Sequence, residues 1–224
     1  MITESTLAFL KALKANNSRD WFEAHRPDYQ EAYGDFFDTV VRLVQSISQF
    51  DPAVAEARLD PKSCIMRIYR DIRFSKDKTP YKTGFFAYVS KGGRKGALAG
   101  YYFHLEPGES FGGGGLYMPE PPVLDKTRKA IDSRYPEWRS IVTSKRLLDH
   151  FPEGVQPSGA TKRPPKGYEV SNPAIEYLKF KGYYTQRFFG DNEVTAPDFA
   201  DTLSDSFIAV KPMVDFLNDA MKGL

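Results

Sequence analysis

Residues 66–82 read MRIYRDIRFSKDKTPYK, and this stretch decides both the fold and the candidate site. Six cations (Arg67, Arg70, Arg73, Lys76, Lys78 and Lys82) stand against Asp71 and Asp77, an excess of four in a chain of formal net charge +2. The first half alternates. Arg67, Tyr69, Asp71 and Arg73 fall on odd positions; Met66, Ile68, Arg70, Ile72 and Phe74 fall on even ones. Successive side chains of an extended chain point to opposite faces, so the pattern predicts a strand from Cys64 to Phe74 with Met66, Ile68 and Ile72 buried. Arg70 conflicts with that pattern. It falls on the apolar face, where an unpaired charge is costly, so it must reach the sheet edge or meet a carboxylate.

The polar face and the loop after it point to chemistry. Arginine grips a carboxylate or phosphate with two parallel hydrogen bonds, and lysine adds a mobile point charge. Arg67, Tyr69, Asp71 and Arg73, followed by Lys76, Lys78, Tyr81 and Lys82 in a loop stiffened by Pro80, read as a surface for an anionic group. A second basic stretch, Lys162-Arg163-Pro164-Pro165-Lys166, holds its backbone extended through paired prolines and offers Arg163 and Lys166 as a wall over such a site. The competing account is a solvated strand face with Asp71 bridging its neighbours, and an ordinary exposed connection at Arg163 and Lys166.

Helical signals lie on both sides of this region. Leu7, Phe9, Leu10 and Leu13 repeat at helical spacing after a Thr3 cap, Asn16-Asn17 ends that helix, and Ser18 caps a short second one in which Trp21 is the core anchor. Pro27 opens a third helix with a stripe of Tyr29, Tyr33, Phe36, Val40, Val44 and Ile47, closed by Asp51-Pro52. After the basic strand come three further strand candidates, 84–90, 97–106 and 110–117. The basic glycine-rich turn 91–96 joins the first two, and Pro107-Gly108 joins the last two. Helices return at 123–134 and 136–150. A short one follows Asn172-Pro173, a fifth strand candidate spans 183–189, and a terminal helix with Pro212 inside it covers 198–221. The expected fold is α+β, with a central antiparallel sheet flanked by N-terminal and C-terminal helices in a single domain over 1–224.

Other features exclude more than they assign. No apolar run approaches the length that spans a bilayer, and the N-terminus lacks the basic and apolar regions of a signal peptide, so a cytoplasmic protein without membrane contact is expected. Cys64 is the lone cysteine and reads as a buried apolar residue. His25, His104 and His150 lack metal-ligand spacing and no dinucleotide fingerprint appears, so neither a metal nor a cofactor is expected. Gly112 to Gly115 precede no Gly-Lys-Ser or Gly-Lys-Thr and read as close backbone packing rather than a phosphate loop. His104 shares a predicted strand face with Tyr102 and Glu106, which makes it, with Asp71, a candidate proton carrier.

NNSRDWF (16–22), RIYRDIRFSKDKTPYK (67–82), GYYFHLEPGESFGGGGLYMPEPPVL (100–124) and LKF (178–180) after KRPPKGYEVSNPAIEY (162–177) resemble the DUF2461 family over nearly the whole chain. The resemblance implies a one-domain α+β protein found mainly in bacteria, with relatives in fungi. It implies no activity, because none is assigned to the family, and carries over no catalytic residue. Its motif positions here include Arg19, Trp21, Arg67, Tyr69, Arg70, Asp71, Arg73, Lys76, Lys78, Tyr81 and Lys82. Three functions stay open: binding of a small phosphorylated or carboxylated ligand, with or without catalysis; association with nucleic acid; and a structural or assembly role in which the arginines pair internally. The sequence leaves the oligomeric state undetermined.

Overall fold

The computed structural model describes residues 1–93 and 98–222. The expected turn 91–96 and the first residue of the expected strand 97–106 therefore lie partly outside the described residues. The elements run α1 (Glu4–Ala15), α2 (Arg19–Ala24), α3 (Arg26–Phe50), α4 (Pro52–Ala57), α5 (Pro61–Cys64), β1 (Phe85–Val89), β2 (Gly100–Leu105) and β3 (Ser110–Leu116). They continue with α6 (Pro121–Ser133), α7 (Tyr135–Val142), α8 (Lys145–His150), α9 (Ile175–Leu178), β4 (Tyr183–Phe189), α10 (Asp191–Val194) and α11 (Phe199–Asp219). The four strands form one antiparallel sheet in the order β1-β2-β3-β4, so the fold is α+β. No helix of the described residues is long and apolar enough to cross a membrane.

The ends of the helices follow local chemistry. Thr3 accepts a hydrogen bond from the Thr6 amide and starts α1; Ser18 accepts from the Trp21 amide and starts α2. Asp51 closes α3 and also caps α4, accepting from the Ala53 and Val54 amides. Asp60 does the same for the single turn of α5. Asp-Pro thus marks a new helix at both places, because proline suits the first turn, where its missing N–H is not needed.

The chain divides into two compact units. The first comprises Met1–Val89, Tyr102–Gly112 and Phe188–Ser204. Its core joins α1, α3 and one sheet face: Leu7, Leu10 and Leu13 are buried with Phe36, Val40 and Ile47, and the Phe36 ring lies 5.2 Å from Phe85 and 5.5 Å from Phe103. Period-2 alternation puts Phe85 and Phe103 in this core and turns Phe86, Tyr102, His104 and Phe111 to the opposite face.

The second unit comprises the described parts of Ser90–Tyr101, Gly113–Arg187 and the chain from Asp205 onward. Trp138 is fully buried there, with its ring 5.1 Å from Phe216 and 5.6 Å from Tyr183. Tyr101 packs on Phe207 at 5.4 Å. Gly115 has φ +137°, and a Cβ there would lie 2.2 Å from the Tyr183 carbonyl oxygen, so β3 needs glycine where β4 passes.

Two expectations need correction. The segment Cys64–Phe74 is not a strand. Cys64 ends α5 as a buried residue, and residues 65–74 form an irregular extended ribbon. Trp21 is not the anchor of α2 either. Phe22 is fully buried, whereas Trp21 is half-buried and stacks on His25 at 4.0 Å.

Candidate functional site

The ribbon begins where Ile65 pairs with Ala87 and the Met66 amide donates to the Phe86 carbonyl at 2.8 Å. Further on, Tyr69 pairs with Tyr81, the Lys82 amide donates to Ile68 O at 2.8 Å, and the Arg70 amide donates to Pro80 O at 2.9 Å. Ile65 and Tyr69 are four positions apart, but Tyr81 and Ala87 are six apart. The returning segment thus carries two extra residues, which breaks the ladder, and Pro80 offers it no N–H. The surplus is taken up around Thr83-Gly84, where a Cβ on Gly84 would sit 2.6 Å from Leu105 O.

Although the ladder is broken, the alternation persists. Arg67, Tyr69, Asp71 and Arg73 are exposed, Ile68 is buried, and Met66, Arg70 and Ile72 are half-buried. Arg70 meets the carboxylate its position demands. Its Nη1 donates to Asp77 Oδ2 at 2.5 Å, to Thr79 O at 3.2 Å and to the Thr79 hydroxyl. Asp77 in turn accepts from the Thr79 amide at 2.9 Å. That backbone hydrogen bond, followed by Arg70, lowers the Asp77 carboxyl to a pKa of about 2. All of these Arg70 bonds use one nitrogen. The Nε and Nη2 edge makes no hydrogen bond among the described residues.

The remaining cations are arranged differently. Arg73 grips Asp71 through Nε at 2.9 Å and Nη2 at 2.7 Å, and this grip lowers the Asp71 carboxyl to about 2. Arg73 also lies 5.9 Å from the centre of the Phe74 ring, which is 96% exposed. Lys78 donates to Ile72 O at 3.0 Å. Arg67 and Lys76 are exposed, and Lys82 is half-buried. Arg163 and Lys166 are exposed on a loop of the second unit, where the Thr161 hydroxyl donates to Arg163 O at 2.8 Å.

Two clefts of the first unit share Arg70 and Tyr81. The smaller, about 330 Å³, is also lined by Arg19, Glu23, Tyr69, Ile72 and Pro80. Arg19 of α2 thus faces the same cleft as Tyr69, Arg70 and Ile72 of the basic segment. The larger, about 510 Å³, is lined further by Met66, Asp77, Thr79, Lys82, Thr83, Gly84, Phe86, His104 and Glu106. Tyr81 is buried, with its ring stacked on Phe22 at 4.0 Å and 5.4 Å from Tyr69.

At the back of the larger cleft, His104 Nε2 lies 3.0 Å from Glu106 Oε2, and the imidazole stacks on Phe111 at 4.7 Å. The other carboxylate oxygen accepts from Lys14 Nζ at 3.0 Å and from the Thr83 hydroxyl at 2.8 Å. Burial pushes the Glu106 carboxyl up, but the hydrogen bonds from Lys14, Thr83 and His104 outweigh it and hold the group below its ordinary value. The strand period foresees His104 beside Glu106. Lys14, Asn17, Asp77 and Thr83 are supporting residues that the pattern does not identify.

A helix-flanked antiparallel sheet bearing a cationic ribbon beside two clefts defines an α+β protein with a polar, cationic surface. The model of a family described as a conserved hypothetical protein (DUF2461) matches residues 5–216, and the chain belongs to that family. No curated protein matches the chain, and neither does any solved structure.

Proposed function

We propose that this protein binds a small phosphorylated or carboxylated ligand at Arg70, between the two clefts. One observation carries the proposal: Nη1 of Arg70 is held by Asp77 and Thr79, while the Nε and Nη2 edge has no hydrogen bond within the described residues. A guanidinium fixed at one corner has little rotational freedom left to lose, and its remaining edge matches the two oxygens of a carboxylate or phosphate. Lys82, on the same cleft, adds charge. Arg73 fits the internal-pairing account instead, because the edge that would take a ligand already holds Asp71. If the bound ligand reacts, the His104–Glu106 pair is the candidate proton carrier. Asp71, paired with Arg73 and held near 2, is poorly matched to proton transfer near neutrality.

The nucleic-acid reading rests on the exposed rings of Tyr69 and Phe74 among the cations, which offer stacking surfaces. A thermal-shift titration with inorganic phosphate, succinate and a single-stranded oligonucleotide separates the accounts. Phosphate or succinate is expected to raise the melting temperature of the unmodified protein and of Arg73→Gln at low millimolar concentration, and not that of Arg70→Gln. Equal responses in all three proteins, appearing only at high salt, indicate general exclusion and refute the site. A response to the oligonucleotide alone supports the nucleic-acid account.

A further inference from the structure

The larger cleft joins two kinds of surface. Arg70 and Lys82 bring positively charged donor groups; Met66, Phe86 and the His104 ring bring apolar and aromatic surface. At about 510 Å³ it has room for more than an inorganic ion. The aromatic part is built on the sheet. Phe86 on β1 runs nearly parallel to Tyr102 on β2, with centroids 6.2 Å apart and planes 15° apart, and His104 is stacked on Phe111 of β3. Phe86 and His104 nonetheless stay half-exposed, and both face the cleft. The bond from the Met66 amide to Phe86 O fixes these apolar residues to the ribbon that carries Arg70. A ligand that is only an anion engages the donors and leaves Met66 and Phe86 in contact with water.

We infer that the ligand is an anionic group joined to a planar ring, with the anion on Arg70 and the ring against Met66, Phe86 and His104. This inference rests on anion binding at Arg70 and adds the other half of the ligand. Aromatic side chains hold planar rings by stacking and by apolar burial, and they tolerate differences in ring identity because every such ring has a π face. Nucleoside phosphates and aromatic carboxylates share this chemistry.

Calorimetric titration with two matched pairs tests it: adenosine monophosphate against ribose 5-phosphate, and benzoate against acetate. In at least one pair the ring-bearing member is expected to bind about tenfold or more tightly than its partner, the scale of one stacked ring. The pair that responds tells phosphate from carboxylate. Phe86→Leu keeps an apolar side chain without the ring; it is expected to remove the advantage and leave the ringless anion unchanged. Equal binding within both pairs overturns the inference, as does an advantage that survives in Phe86→Leu. In either case, loss of ringless-anion binding in Arg70→Gln leaves the anion site standing. If none of the four probes binds, the anion site and the ring inference fail together. The comparison on the unmodified protein is decisive even where the Phe86 variant does not fold.

Discussion

The side chain of Asn17 forms two hydrogen bonds with the backbone of Tyr81: Nδ2 donates to the carbonyl at 2.9 Å, and Oδ1 accepts from the amide at 3.1 Å. The junction between α1 and α2 thereby fixes Tyr81, one of the two residues that line both clefts. Arg70 pairs with the neighbouring Pro80 carbonyl, so the same contact also sets where the ribbon carries its guanidinium.

Asn17→Ala is therefore expected to destabilise the protein by about 1–3 kcal/mol, the usual cost of leaving backbone polar groups without partners. Urea melts give the number. A loss below about 0.5 kcal/mol, the ordinary scatter of surface substitutions, would show that the clamp is dispensable.

The Asp77 carboxyl is depressed to about 2 from an ordinary 3.8, first by the Thr79 amide and then by Arg70. A depressed carboxyl stabilises the fold fully above its unfolded pKa, and the contribution is lost as pH falls through the folded value. The Arg70–Asp77–Thr79 contact should hold at pH 5, weaken between about 4 and 2, and vanish below that. The Thr79 amide resonance is expected to titrate with a midpoint near 2 and to stop doing so in Asp77→Asn. A midpoint near 4 contradicts the pairing.

The glycines of β3 are expected to differ. A Cβ on Gly115 would meet the Tyr183 oxygen at 2.2 Å and Tyr184 Cα at 2.7 Å, both backbone, at φ +137°. Gly115→Ala should cost about 2–6 kcal/mol, from backbone strain plus overpacking at about 1–3 each. A Cβ on Gly112 would meet the Leu203 side-chain tip at 2.5 Å. Gly112→Ala should cost about 1–3 kcal/mol, and Leu203→Ala, at a fully buried leucine, about 2–5 kcal/mol. The double variant should lose less than the sum, because truncating Leu203 removes the clash. Strict additivity in denaturant melts would rule out that contact.

Alternation and turn chemistry locate β1 to β4 closely, since Phe85, Ala87 and Val89 face a core and Pro107-Gly108 forces a reversal. Stripes and caps locate α1, α3 and α11 for the same local reasons. Residues 64–74 imitate a strand because alternating exposure also arises in a ribbon whose ladder is broken, and the break depends on how many residues return after Pro80. Single-turn α5 and α10 are too short to show a helical period. At the site, Arg70's need for a carboxylate is legible from its place among apolar neighbours. The choice of Asp77 follows from the loop path, and the Lys14–Glu106 contact joins residues 92 apart that no local pattern links.

The central claim is that the outer edge of Arg70 takes the anion while Arg73 stays with Asp71. The most direct measurement is a heteronuclear NMR titration of the arginine Nε–Hε groups with inorganic phosphate, with Arg70 and Arg73 assigned by substitution to lysine. The account predicts a saturable shift of the Arg70 signal at low millimolar phosphate, with the Arg73 signal unmoved. An Arg70 signal that stays fixed, or arginine signals that all drift together without saturating, contradicts it.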